Sequence, residues 1–326
     1  MRLNIENLIN HLQKKDSGVA IVIGTILLIA ISISLVSVYL FYYIPYQSTL
    51  NEENYYMQTE TAFNTLNSKM IQQNIVPGSF ATQPIPLGIP GEPPFTTSSD
   101  SSLIFSNSTH DSYFSLSFKV NITVNTTQAG NITLPSIYAN YTSTGILFTA
   151  ANNQYTNKFG YALANGLVYT YSGNQSQLIS RSNFLFSNNS GNFSLYSTIL
   201  NLSGKDSSVG GYGSTVFQSE YELASNRTLS IGEKSTSYNS TFEPGNITKI
   251  VVTKFTFISQ GTLSRAFDFG LINAYNSTAA KNFSSWFIDG YLKVTLSNSG
   301  LEIENVKNLN MNNLDVRYLE TDILAL

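Results

Sequence analysis

The chain has no cysteine. That removes disulfides, zinc–thiolate sites and cysteine nucleophiles together, so an exported part must rely on core burial, glycans or assembly. Charge is scarce too: Asp, Glu, Lys and Arg make up 11% of the residues, against about 25% in an ordinary soluble domain, and the net charge is −3. With no basic stripe to neutralise phosphates, nucleic acid is not an expected partner. Only two histidines occur, His11 and His110, and no Gly-x-Ser-x-Gly elbow is present, so a Ser-His-Asp hydrolase is not expected.

One long stretch lacks charge altogether. Val19 to Ile44 is a long apolar run without a single charge and follows Lys14-Lys15-Asp16-Ser17-Gly18. At ~1.5 Å rise per residue such a run spans a ~30 Å hydrocarbon core as a single helix. Arg2, Lys14 and Lys15 precede it and Glu52 and Glu53 follow it. The excess of Lys and Arg before the run predicts a cytoplasmic N-terminus and an extracellular remainder, a single-pass membrane topology. The run is longer than the ~7–15 residues of a secretory signal core, which predicts a retained anchor.

The acceptor pattern Asn-x-Ser/Thr occurs only beyond the run, at Asn107, Asn121, Asn125, Asn131, Asn140, Asn174, Asn188, Asn192, Asn201, Asn226, Asn239, Asn246 and Asn276, with a further one at Asn282. An Asn- and Thr-rich chain produces such triplets by chance, but their one-sided placement agrees with the topology and makes them possible N-glycosylation sites.

Lys14-Lys15-Asp16-Ser17-Gly18 followed by Val19-Ala20-Ile21-Val22-Ile23-Gly24-Thr25 resembles the class III signal peptide of archaeal type IV pilins and pilin-like proteins. The resemblance implies cleavage by a prepilin peptidase after Gly18, leaving Val19 as the new N-terminus, with cuts after Ser17 or Asp16 left open. It implies a partner peptidase and, through the retained helix, other pilin subunits. Bacterial pilins carry a glutamate five residues into the mature chain, where this sequence has Ile23. A second, looser resemblance, to large archaeal pilin-like exported proteins of unassigned role, covers most of the chain. It rests on Phe63-Asn-Thr-Leu-Asn, Ala164-Asn-Gly-Leu-Val-Tyr-Thr-Tyr, Phe184-Leu-Phe, Gly210-Gly211-Tyr212-Gly213 and a Trp286-bearing helix, and it supplies no chemistry.

The rest of the chain reads from its periods. Residues 1–18 are the leader, 19–44 the transmembrane or assembly helix, and 45–77 a stalk helix. Pro45 should end or kink the first helix, and Tyr39, Tyr42, Tyr43 and Tyr46 form an aromatic belt at the outer interface. Tyr56, Phe63, Leu66 and Met70 recur at helical spacing, Glu52, Glu53, Glu60 and Lys69 should keep the other face wet, and Pro77-Gly78 should stop the helix. Residues 78–100, rich in Pro and Gly, read as a linker. From 101 to 326 the period becomes two, which predicts an extracellular β region of one domain or two. Phe114, Leu116, Phe118, Val120, Ile122 and Val124 alternate with polar residues, and so do Val251, Thr253, Phe255 and Phe257, and Leu292, Val294 and Leu296. Asn165-Gly166 marks a type I′ hairpin, and Ser172-Gly173-Asn174 a second turn. A helix from Asn276 or Ser277 to Gly290 should bury Trp286.

The fold expected is therefore mainly β: an N-terminal transmembrane and stalk α-helix, then an antiparallel β-sandwich-like region with one late helix. Candidate chemistry is thin. His110 sits in Thr109-His110-Asp111 as a turn residue, and Glu220/Glu222 and Glu302/Glu304 are pairs that can hold Ca²⁺ or cleave glycosides but more often coat a solvated face. The loop Gly210–Gly213 lacks the Lys-Ser/Thr of a phosphate loop. The function expected is a membrane-anchored, glycosylated, pilin-like surface protein, not an enzyme and without cofactor or metal, and for its size a minor rather than a major pilin. The alternative is a single-pass cell-surface glycoprotein or sugar-binding module outside any filament.

Overall fold

A computed structural model describes residues 5–71, 76–93, 96–127, 129–134, 136–151, 160–172, 175–180, 184–234, 245–261, 290–297 and 300–326. The expected late helix and Trp286 lie in residues outside this set. The fold is mainly β behind one long N-terminal helix. Helix α1, Ile5–Val38, passes through a π-helical turn, Tyr39–Tyr43, into α2, Ile44–Met70. Pro45 neither ends nor breaks this helix. Its ring would clash with a carbonyl four residues back; the π turn, closed by the Ile44 N–H donating to the Tyr39 carbonyl, loosens the ladder immediately before it.

The helix stops earlier than Pro77-Gly78 predicts, at Met70. The carbonyls stranded at its end are taken by the sheet: the Tyr221 hydroxyl donates to the Lys69 carbonyl at 2.7 Å and the Arg317 guanidinium to the Ile71 carbonyl at 2.9 Å. The cation is on the favourable side of the helix dipole.

The strands are β1 Phe80–Leu87, β2 Ser101–Ser106, β3 Tyr113–Thr126, β4 Gly130–Thr133, β5 Ile137–Ser143, β6 Ile146–Ala151, β7 Gly160–Ala164, β8 Leu167–Ser172, β9 Gln175–Leu178, β10 Phe184–Asn189, β11 Asn192–Ser203, β12 Ser207–Gly211, β13 Gly213–Ser230, β14 Asn246–Gln260, β15 Leu292–Ser297, β16 Gly300–Asn305 and β17 Leu309–Ala325. The smaller sheet has the order β12-β2-β6-β7-β8-β9. In the larger one β17 lies between β13 and β11, pairing antiparallel with the first and parallel with the second. Beyond the end of β13 the start of β17 pairs with β14, which brings β3, β4 and β5 along its other side.

The expected linker is in part a strand. β1 carries Pro84 and Pro86 yet pairs with β13 from Phe80 to Leu87. It lies at the sheet edge, and two prolines two residues apart place both missing N–H groups on the same, outward side, where no ladder bond is lost. The alternation in β3 is as expected: Phe114, Leu116, Phe118, Val120, Ile122 and Val124 are all buried. The Asn165-Gly166 hairpin also forms, with φ of 51° and 70° at its two central residues and Ala164 opposite Leu167. In β8 and β9, Ser172 stands opposite Gln175. In β14 the phase differs from expectation. The buried residues are Ile250 and Val252, then Phe255 and Phe257, because a register shift between Val252 and Lys254 inserts one residue. A bulge reverses the facing of everything beyond it, so Val251 and Thr253 do not share a face with Phe255.

Two cores result, with strands in common. The near core gathers Phe63, Leu66 and Met70 of α2 with Ile85, Phe105 and Phe217; the far core gathers the inner face of β3 with Ile250, Phe255 and Leu314. β11, β13 and β17 are long enough to serve both, with Ile199, Leu229 and Val316 in the far core and Leu202, Tyr221 and Leu319 in the near one. The middle of the smaller sheet, β7 and the start of β8, is buried on both faces, Ala162 and Tyr169 toward the far core and Tyr161 and Val168 toward the near one.

At the fork of the larger sheet, one amide replaces a stretch of ladder. Between the end of β16 and the start of β17, Asn305 accepts from the Phe255 N–H at 2.7 Å and donates to the Thr253 carbonyl at 3.3 Å and the Lys307 carbonyl at 3.0 Å. Asn305→Ala strands these backbone groups beside the bulge and should cost about 1–3 kcal/mol. Thermal melting of the full chain in detergent should show a clear fall in midpoint for Asn305→Ala and almost none for Asn308→Ala, whose side chain is exposed.

Candidate functional site

The feature that separates this molecule from an ordinary β protein is the first half of its helix. Within it an 18-residue window reaches a mean hydropathy of 2.7 and is not buried at all, so the helix is long and apolar enough to cross a membrane. Val19, Ile21, Leu28, Leu35 and Phe41 are all exposed. The change is abrupt: exposure falls from 45% at Tyr43 to 4% at Ile44, and from there the same helix is part of the head.

The polar atoms of the apolar stretch are satisfied within it. Thr25 donates to the Ile21 carbonyl at 2.7 Å, and Ser32, Ser34 and Ser37 donate to the carbonyls of Leu28, Ala30 and Ile33, each at 2.8 Å. A hydroxyl bonded to its own helix asks nothing of its surroundings, which suits hydrocarbon. Ala30 and the three serines also supply small side chains past which apolar helices approach closely. At the end next to the head Tyr39 and Tyr43 stack with centroids 5.0 Å apart, and Tyr42, Tyr43 and Tyr46 are exposed. Lys14, Lys15, Gly18 and Val19 all lie within α1, so the expected processing point is a helical peptide bond.

The seat of α2 is rich in tyrosine. Tyr161 lies against Tyr56 and Phe63, with centroids 6.3 and 6.2 Å away, and its hydroxyl donates to the Glu60 carboxylate at 3.4 Å. Tyr55 donates to Ser101, which in turn accepts from the Gly88 N–H, and Tyr171 donates to the Thr149 carbonyl. Asn51 reaches Glu92 at 2.8 Å, tying the loop after β1 to the first turns of α2. Glu52 is not on a wet face as expected: it is 3% exposed, because the head packs against α2 almost down to its first turn. Glu53 is exposed.

The candidate residues lie on separate elements: His110 in a turn, Glu220 and Glu222 in β13, and Glu302 and Glu304 in β16. His110 is exposed in the turn before β3. Glu304 makes a surface ion pair with Lys293 at 3.1 Å, a contact of little energetic weight. Glu220 stands opposite Asp322 of β17, and Glu222 falls at a register shift. Tyr212 is exposed in the glycine turn between β12 and β13. Among the described residues no group of three His, Cys, Asp or Glu is placed to hold a metal ion.

Of the acceptor asparagines, Asn107, Asn125, Asn131, Asn140, Asn192, Asn226 and Asn246 are exposed and Asn121 and Asn201 half-buried. Asn174, Asn239 and Asn276 lie outside the described residues, and Asn188 is in β10. No family model matches the chain, and neither a curated protein nor a solved structure matches it.

Burial holds the hydroxyls of Tyr55, Tyr161, Tyr171, Tyr221 and Tyr318 above the usual tyrosine range, with the Glu60 charge adding to the effect at Tyr161 and the Arg317 charge opposing it at Tyr221. A tyrosine whose folded pKa exceeds its unfolded value of about 10 keeps its proton longer in the fold. Its contribution is therefore intact below pH 10 and lost as pH rises beyond it. The head should hold its melting temperature through the neutral range and lose it above about pH 10, a loss that Tyr161→Phe reduces. Thermal melts from pH 6 to 11.5 check this.

Proposed function

We propose that the chain is a membrane-anchored, outward-facing protein of the archaeal type IV pilin-like kind, with a structural or adhesive role. The observation that carries this reading is the exposed apolar helix Val19–Tyr43, which continues without a break into a helix buried in the head. A bilayer covers such a surface, and so do the helices of other copies or of a major pilin after the leader is removed. The residues before it, Lys14, Lys15 and Gly18, resemble the pattern at which prepilin peptidases cut, and the hydroxyls of the helix bond internally, so they need no partner in lipid or in a helical bundle.

The acceptor asparagines fall on the side of the anchor that the lysine excess assigns to the exterior. The head, with two cores, is large for the repeating unit of a filament, which favours a minor subunit over the major one. No catalytic role is assigned. Among the described residues, His110, Glu220 and Glu304 lie on separate turns and strands.

The test is the N-terminus of the mature protein. Mass spectrometry of the chain isolated from membranes should find it starting at Val19, or at Ser17 or Gly18 if the cut lies one or two bonds earlier, and Gly18→Val should leave it uncut. An intact Met1 end on the membrane-bound wild-type protein would overturn the pilin-like reading and leave a single-pass surface glycoprotein.

A further inference from the structure

The far end of the larger sheet places three acceptor asparagines in one row. Asn125 of β3 stands opposite Asn131 of β4 on one side and opposite Asn246 of β14 on the other. All three are exposed. Asn121 precedes Asn125 on the same face of β3, and Asn140 of β5 is exposed opposite Ser117 of β3. The hydroxyl residues completing the triplets, Thr127, Thr133, Thr142 and Thr248, are exposed as well, and Thr123 is half-buried.

Asn201 shows the opposite arrangement. Its Nδ2, the atom that would carry a sugar, donates to Glu320 at 3.3 Å, its Oδ1 accepts from the Thr144 N–H at 3.2 Å, and Ser203 of the same triplet donates to the Thr321 carbonyl at 3.2 Å. Attachment there would break a half-buried network to which the hydroxyl already belongs.

We propose that the outer face of β5, β3 and β4 is the glycan-bearing face of the head, that Asn125 and Asn131 compete for a single glycan, and that Asn201 stays bare. The proposal rests on the reading that the head faces away from the cytoplasm. The chemistry is ordinary N-glycosylation. The amide Nδ2 bonds to the anomeric carbon of a lipid-phosphate-linked oligosaccharide, the carbon–oxygen bond to phosphate breaks, the lipid phosphate leaves with that electron pair, and the amide loses one proton. Competition follows from the register, since residues directly opposite in an antiparallel pair stand about 5 Å apart. Two oligosaccharides rooted at that spacing obstruct one another. Asn246 is the weaker rival on the other side, because the Thr248 hydroxyl already donates to the Thr123 carbonyl at 3.2 Å.

Trypsin releases residues 120–158, with four of these asparagines, separately from residues 182–205, which contain Asn201. Glycopeptide mass spectrometry of the full chain from membranes of the cell that makes it should find the first peptide glycosylated, Asn125 and Asn131 never occupied together, and Asn201 unmodified. In Asn131→Gln, occupancy of Asn125 should rise at least ~2-fold. A bare first peptide, a peptide with both Asn125 and Asn131 occupied, a glycan on Asn201 or an unchanged Asn125 occupancy in the variant would each overturn the proposal. Labelling intact cells with a membrane-impermeant amine reagent separates the two failures. If the exposed Lys254 is labelled and the first peptide is bare, this proposal fails alone; if Lys254 is not labelled, the outward orientation fails with it.

Discussion

The first half of the helix is long and apolar enough to cross a membrane and has no protein around it, and the rest of this molecule is positioned by where that condition ends. It ends between Tyr43 and Ile44. On one side every described hydroxyl of Thr and Ser bonds back to its own helix; on the other, Ile44, Ser48 and Glu52 are already buried. No spacer intervenes between the apolar helix and the head. Wherever the apolar helix goes, α2 and the near core go with it.

That coupling needs α2 to be held along its length, and the hydrogen bonds show how. Its start is tied through Asn51 to Glu92, its middle through Tyr55 to Ser101 and through Glu60 to Tyr161, and its end through Tyr221 and Arg317 to the terminal carbonyls. Three of these five contacts have a charged partner, Glu92, Glu60 or Arg317, but none of them is an ion pair. A chain with so few ionisable residues fixes its helix mainly with tyrosine hydroxyls and amides, whose bodies also contribute apolar area to the near core. Burial of several of these hydroxyls opposes their ionisation in the folded head.

Much of this was legible from periodicity. The apolar run, the alternation of β3 and the Asn165-Gly166 hairpin each depend on residues close together in sequence, and each is as expected. The differences lie where a distant strand decides. β1 tolerates Pro84 and Pro86 only because it is an edge, and a sequence does not say which strand is the edge. The helix ends at Met70 because Tyr221 and Arg317, far along the chain, take its last carbonyls. The phase of β14 reverses at a bulge that no residue type announces, beside an Asn305 whose amide stands in for backbone. Glu52 looked wet because a helical wheel shows which residues share a face and not how wide a surface the head lays against it. The candidate site was legible as the stretch Val19–Ile44, but the burial that begins at once at Ile44 was not, since it is set by the head.

Edge strands carry the last constraint. A neutral β surface has little charge repulsion to keep copies apart, so its open edges decide how copies can meet. β1 runs along one edge of the larger sheet, and its outward side lacks donors at Pro84 and Pro86. A strand of another copy would find no ladder there. β12, at one edge of the smaller sheet, is short and contains Gly210 and Gly211, which weaken pairing. Strand addition at these two edges is thus disfavoured by sequence. Under the proposed reading, the apolar helix is the surface through which copies associate, and the head keeps its own fold when they do.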